Sequence, residues 1–355
     1  MDTQQKEFLK QLLNTPSPSS GELALQRLWI EFVKPYADEI KIDAYGNAIA
    51  VWNPSGSPRI MVSGHGDEIG FIIQYINDQG FLYFTTVGGS DPALARGQRV
   101  HIHNSRGTVL GVIGSLAIHM QDREKENKVP AWHEMFIDIG AKDKNEALSK
   151  VAVGDLVTYA VGYEPIHDRY FIARGCDNRV GSFVAAQVLR RCAETKKSQA
   201  AVIAVSTIQE ENGLYGAAMV GYSIHPDAAL VVDVAQATDI PIADKKRFCE
   251  VSLGKGPTLN RGSANHPLLV EKLRQVAESH SIPFQWATDP RSTGTDADAI
   301  FRQRGGIPTA AIGLPNRYMH SPIEMLAYDD LDQCINLIQA FLEDINPDTS
   351  FAHQL

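Results

Sequence analysis

Two continuous apolar runs constrain this chain more than any other feature: residues 200–208 (AAVIAVSTI) and 228–232 (AALVV). A strand with one wet face alternates polar and apolar residues. A run that stays apolar on both faces belongs in the middle of a sheet covered on both sides. Each run is followed closely by acid: Glu210 and Glu211 after the first, Asp233 after the second. Around them the pattern is strand–helix–strand. Residues 170–173 read as a short strand. Val180, Phe183, Val184, Val188 and Leu189 mark one face of a helix. Residues 265–280 and 329–342 read as two further helices.

The front of the chain fits the same architecture. Phe8, Leu9, Leu12 and Leu13 form a helical face, and residues 15–21 (TPSPSSG) break it. Ser20 is the expected N-cap of a second helix reaching about Tyr36. Strands are expected near residues 40–42, 48–52 and 59–62. Between about Phe71 and Glu164 glycine is frequent and the strands are short and alternating (RVHIHN, GTVLGVIGS, DLVTYAV). His101 and His103 share one face there and read as part of a surface strand. The charged stretch 121–129 (QDREKENKV) reads as a solvated loop. The expectation is a mixed-sheet α/β domain made of residues 1–70 and 165–355, with a small all-β domain, 71–164, inserted. Such an insert has edges and faces to bury.

Composition removes several classes of function. The net charge of the 355 residues is −9, and no basic run with interleaved aromatics occurs, so no nucleic-acid partner is expected. No stretch is long and apolar enough to span a membrane, and the N-terminal MDTQQKEFLKQLL is polar. The four cysteines, Cys176, Cys192, Cys249 and Cys334, are scattered, which argues against a disulfide framework or a zinc ribbon. A reducing cytoplasm is the expected location. Cys176 has no His or Asn pattern that would make it a nucleophile.

In open α/β sheets, ligands bind beyond the carboxyl ends of the strands. Five segments place polar groups there: SGHGDEIG from Ser63, RGCDNR from Arg174, TIQEEN from Thr207, VVDVA from Val231 and RYMHSP from Arg317. Two histidines with several carboxylates suit Zn²⁺, Co²⁺ or Mn²⁺. The adjacent Glu210 and Glu211 repel each other unless cations compensate. Because neighbouring residues on an extended chain point in opposite directions, a turn must aim both inward. A carboxylate at Asp67 accepting the far N–H of His65 would fix its tautomer. Arg317 reads equally as a carbonyl or carboxylate anchor and as one half of an ion pair.

As a set, HGDEIGF, GCDNRVG, QEENGLYGA, VVDVA, GTDADAI and RYMHSP resemble the motif series of the glutamyl/deblocking aminopeptidases, in order and from the first helix to the last. These are co-catalytic metallopeptidases that form large tetrahedral shells. The resemblance implies that the α/β domain is a metallopeptidase domain which removes N-terminal residues from peptides. It implies two divalent metal ions per subunit, zinc or cobalt, with manganese as a third candidate. His65 and Asp233 would hold one ion and Glu211 and His320 the other, with Asp177 bridging. Glu210 would be the general base, and Asp67 the residue that orients His65. The peptide bond after Asp177 would be cis.

Gly294, Thr295 and Asp296 match the family's substrate-pocket loop; Thr295 and Asp296 also read as a cap for the helix expected at 297–301. The insert matches the family's dimerisation domain, and six dimers would form a homo-oligomeric dodecamer. Gly66, Asn260 and Ser263 depart from the family pattern. Two ions about 3.5–4 Å apart can share a water and lower its pKa toward 7. Glu210 would take that proton and pass it to the leaving nitrogen. A metal-dependent deacylase of N-acyl amino acids uses the same chemistry. A glucanase would instead need two carboxylates about 5–9.5 Å apart flanking a sugar.

Overall fold

The structure is a computed structural model and describes residues 1–120 and 128–353; most of the charged stretch 121–129 lies outside the described residues. The first three strands are β1 (Glu39–Ile42), β2 (Ala48–Trp52) and β3 (Arg59–His65). The insert supplies β4 (Gly70–Ile76), β5 (Leu82–Val87), β6 (Arg99–Asn104), β7 (Gly107–Ile113), β8 (Ile137–Asp138) and β9 (Leu156–Tyr159). Then come β10 (Glu164–Ile166), β11 (Tyr170–Ala173), β12 (Ala201–Thr207), β13 (Ala228–Gln236), β14 (Thr258–Arg261), β15 (Gln285–Thr288), β16 (Thr309–Asn316) and β17 (Glu324–Ala327).

Both apolar runs become central strands. The large sheet has the order β1-β2-β12-β3-β13-β16-β14-β15, and its four middle strands, β12, β3, β13 and β16, are mutually parallel. Every residue of β12 is buried. Val202 and Ala204 enter a core shared with the helices Thr3–Asn14, Leu23–Val33, Cys176–Thr195, Pro267–Ser279 and Tyr328–Asp344. Ile203 and Val205 enter a second core on the other face, against Tyr215–Ile224 and Ala297–Ile300. Two covered faces are the reason the run shows no polar alternation.

The helix Cys176–Thr195 packs against β3, β12 and β13 at very close range. A Cβ on Gly64 would lie 2.3 Å from the backbone of Gly181, and one on Gly181 would lie 2.4 Å from the Val232 carbonyl oxygen. Only hydrogen fits at these two positions. Gly66, the departure in the His65 segment, is closed in by Leu25 and by Ser206, 2.6 and 2.8 Å from where a Cβ would be.

The insert is a closed barrel, β4-β5-β8-β7-β6-β9, around its own core of Phe71, Phe84, Ile102, Ile137 and Val157. Closure removes the free edges expected from the sequence. What stays uncovered is side chain, such as Leu110 and Val112 on β7. A small sheet, β10-β11-β17, stands beside the main one.

Ser20 does not cap the second helix, which starts at Leu23 with Glu22 at the cap position. The breaker segment is held by the loop after β3 instead. Ser17 donates to the Gly66 carbonyl and Ser19 to the Asp67 carboxylate, both at 2.7 Å, and Ser20 sits at φ +78°. Among the described residues no helix is long and apolar enough to cross a membrane.

Candidate metal centre

Because β3, β12, β13 and β16 are parallel, their carboxyl ends open on one edge. His65 ends β3 and pairs in register with Thr207, the end of β12. Asp233 lies on β13, Glu210 and Glu211 follow β12, and His320 follows β16. Asp177 arrives from β11 through a turn at Gly175 (φ +58°), and the Asp177–Asn178 peptide is cis. Asn178 then caps the long helix by accepting from Gly181 N–H, and donates to the Val232 carbonyl beside Asp233. One residue thus ties the start of the helix to the strand that carries the next acidic group.

Asp177 turns one oxygen to each histidine. Its Oδ1 is 3.2 Å from His65 Nε2 and its Oδ2 is 3.2 Å from His320 Nε2. His65 Nε2 is 3.9 Å from Asp233 and His320 Nε2 is 3.5 Å from Glu211. The triads His65–Asp177–Asp233 and Asp177–Glu211–His320 each bring three donor atoms within 4.8 Å of one another, as does His65–Glu210–Glu211. Donors about 2.0–2.2 Å from a common ion sit at this kind of mutual distance.

The electrostatics are those of a site built around cations. Burial raises the Glu210 carboxyl to about 9, and the charges of Asp233, Asp296 and Asp177 add to it against His65. Burial and then Asp177 hold Glu211 well above the usual carboxylate range. Asp233 is raised by burial and by Asp177, against the pull of His65. Asp177 runs the other way: burial opposes its charge, but hydrogen bonds from His320 and His65 outweigh burial. The His65 imidazole is likewise pushed up against its burial, by Glu210, Asp177 and Asp67. Glu211 Oε1 is buried with no hydrogen-bond partner. An unpaired carboxylate oxygen beside the His320 imidazole and the Asp177 carboxylate fits a divalent cation.

The surrounding groups fix the donors. His65 Nδ1 lies 3.1 Å from the Asp67 carbonyl oxygen and 3.3 Å from its carboxylate, which leaves Nε2 free toward the cleft. The same carboxylate accepts Glu210 N–H at 3.0 Å and Glu211 N–H at 3.2 Å. With Gln209 at φ +52°, this is the turn that aims both glutamates inward.

Three contributors were not legible in the sequence. Gly89 in the barrel accepts from His320 Nδ1 at 2.7 Å, and Gly88 (φ +72°) packs on Glu211. Glu324 accepts the backbone N–H groups of Asp177 and His320. A Gly-Gly pair after a strand is the one local signal that could have pointed to the barrel contact.

The substrate candidates separate. A cleft of about 670 Å³ is lined by both triads, Glu210, Phe248, Cys249, Thr293 and Thr295. Asp296 lies buried behind it, accepting a hydrogen bond from Thr207, and it makes no cap bond to the following helix. Arg317 does not line the cleft. Its guanidinium is engaged by both oxygens of Asp239, at 2.8 and 2.7 Å, so the ion-pair reading describes its position.

Glu68 is held by Arg174 and Arg179, and Arg179 uses all five of its N–H groups on Glu68 and four backbone carbonyls. His103 meets Thr158 at 2.8 Å, and neither His101 nor His103 belongs to a metal-competent group among the described residues. All four cysteines are free, and burial raises the Cys176 thiol, which removes its reactivity.

Two triads sharing a carboxylate at the carboxyl edge of a mixed α/β sheet are arranged as a metal-dependent hydrolase would need them. Over residues 46–337 the chain matches the family model for M42 glutamyl aminopeptidase, and it belongs to that family. It is similar to a lysyl aminopeptidase of Pyrococcus furiosus, 31% identical over 96% of this chain and 97% of the relative. The solved structure of a TET aminopeptidase from a marine sediment archaeon of the Thaumarchaeota superposes with a TM-score of 0.93, at 32% identity over 97% of each chain. The TET1 peptidase of Pyrococcus horikoshii, described as assembling into a tetrahedron or a large octahedral shell, does so with a TM-score of 0.86, at 30% identity over 96% of this chain and 100% of the other.

Proposed function

We propose that this chain removes N-terminal residues from peptides at a centre for two divalent ions, zinc, cobalt or manganese. The supporting observation is Asp177, whose two oxygens face His65 and His320 at equal distances and so belong to both triads. His65, Asp177 and Asp233 would hold one ion; Asp177, Glu211 and His320 the other. Bound ions would polarise the scissile carbonyl and lower the pKa of water at the site.

The remaining steps belong to the chain's own residues. Glu210 is left over when both triads are complete, and its carboxylate lies 3.7 Å from His65 Nε2, at the cleft. It takes a proton from water and delivers it to the departing amine nitrogen. Asp67 keeps His65 in the ligating tautomer and holds the Glu210 backbone. Thr295 contacts substrate from the cleft wall. The excess of carboxylates favours a protonated peptide N-terminus.

The barrel, within residues 71–164, is the dimerisation unit in this reading, and dimers build a homo-oligomeric shell of twelve. Exposed Leu110 and Val112 and the assembly described for the Pyrococcus horikoshii TET1 peptidase support it. A cytoplasmic location accords with four free thiols. The deciding experiment is a screen of aminoacyl-anilides of every side-chain class after dialysis against a chelator. Activity should vanish and return with Zn²⁺, Co²⁺ or Mn²⁺; full activity in metal-free protein would overturn the reading.

A further inference from the structure

Glu324 has no catalytic reason to be where it is. It sits on β17, 1% exposed, directly opposite Ala173 of β11 in the small sheet. The nearby arginines, Arg174 and Arg179, are engaged by Glu68 instead. A buried carboxylate close to Asp177 is unfavourable unless its oxygens are used. They are: Oε1 accepts His320 N–H at 2.8 Å and Oε2 accepts Asp177 N–H at 3.1 Å.

These two N–H groups come from segments far apart in sequence. Asp177 follows β11. His320 follows β16 on a stretch with two left-handed residues, Tyr318 (φ +62°) and His320 itself (φ +59°). Left-handed backbone is disfavoured for both residue types and persists where other contacts hold it. A paired exchange between Arg317 and Met325 returns this stretch to β17, and Glu324 then reaches both donors. The two oxygens of one carboxylate have a fixed spacing, so accepting one N–H on each fixes the two segments relative to one another.

We propose that Glu324 is a positioning residue which sets the separation of Asp177 and His320, two of the three donors of the Asp177–Glu211–His320 site. The proposal rests on the two-ion reading given above. The other site, His65–Asp177–Asp233, has only one donor held this way, because Asp67 supports His65. Loss of Glu324 therefore acts selectively.

Two substitutions separate placement from charge. Glu324→Gln has a single acceptor oxygen and sets an NH₂ group against a backbone N–H. Glu324→Asp keeps the charge and both oxygens but is one methylene too short for its carboxylate to reach the two donors from β17. The measurement is calorimetric titration of Zn²⁺ into metal-free protein, beside thermal melting of the same metal-free samples.

Wild type should take two ions per chain. Both variants should bind one ion as wild type does and the second about 10–100-fold more weakly, with melting little changed. In a His320→Ala background, Glu324→Gln should weaken nothing further. Should Glu324→Gln fail to fold, Glu324→Asp decides alone. Wild-type affinity for both ions in both variants overturns the proposal, and so does wild-type binding by Glu324→Asp beside weak binding by Glu324→Gln, which would make charge the cause. A wild-type chain that takes fewer than two ions sinks the two-ion reading itself, a result separable from the variants' behaviour.

Discussion

Glu210 and Glu211 are neighbours with different proposed tasks, and their backbone explains how both reach one cleft. Asp67 accepts both of their N–H groups while facing His65. Glu211 belongs to the triad with His320, and Glu210 belongs only to a grouping that the other two triads make redundant. Glu210→Gln keeps the shape and removes the base. Turnover should fall by about 10²–10⁴-fold while metal content per chain stays unchanged. Steady-state kinetics beside metal analysis reads both quantities, and near-normal turnover would take the base role away from Glu210.

At the scale of elements, the contact between the helix Cys176–Thr195 and the sheet controls the geometry. Gly181 lies against the Val232 carbonyl, and Asn178 donates to that same carbonyl. Gly181→Ala would put a methyl group 2.4 Å from that oxygen and 2.5 Å from Asn178 Oδ1, a side chain held in place by its own hydrogen bonds to Val232 and Gly181. The helix must lift away from β13, which carries Asp177 away from Asp233. A loss of about 1–3 kcal/mol is expected, seen as a lower urea midpoint at unchanged slope. A wild-type midpoint would mean that the helix does not approach the sheet this closely.

For the whole molecule, the barrel is both a separate core and a contributor to the site. Gly89 reaches His320, so the insert helps orient a proposed metal donor. Because the barrel is closed, association through it must use side-chain faces rather than strand pairing. Light scattering over a range of concentrations should give a mass well above the 39.0 kDa of one chain, either a dimer or a dodecamer. A stable, active monomer would remove the dimerisation role proposed for the insert.

Much of this protein was written locally. The runs at 200–208 and 228–232 are apolar on both faces, so burial of a central strand follows from period alone, and β12 and β13 sit where they indicate. The candidate donors stand at or near the carboxyl ends of β3, β11, β12, β13 and β16, and parallel pairing of the central strands brings such ends to one edge. Strand patterning marked the segments that carry His65, Asp177, Glu211, Asp233 and His320; their choice as one ligand set was what the family resemblance implied.

Other features depend on partners distant in the chain, which no local pattern encodes. Ser20 looks like a cap, yet the segment around it is held by the loop after β3. Arg317 reads equally as a substrate anchor and as half of an ion pair, and its partner Asp239 is 78 residues away. The barrel's closure depends on which strands pair, and alternation along each strand is the same for an open sheet. Glu324 carries no local signal that sets it apart from other acids in the sequence. Only the folded chain, by setting β17 beside β11, brings its two oxygens to the backbone of two proposed metal donors 147 and 4 residues away.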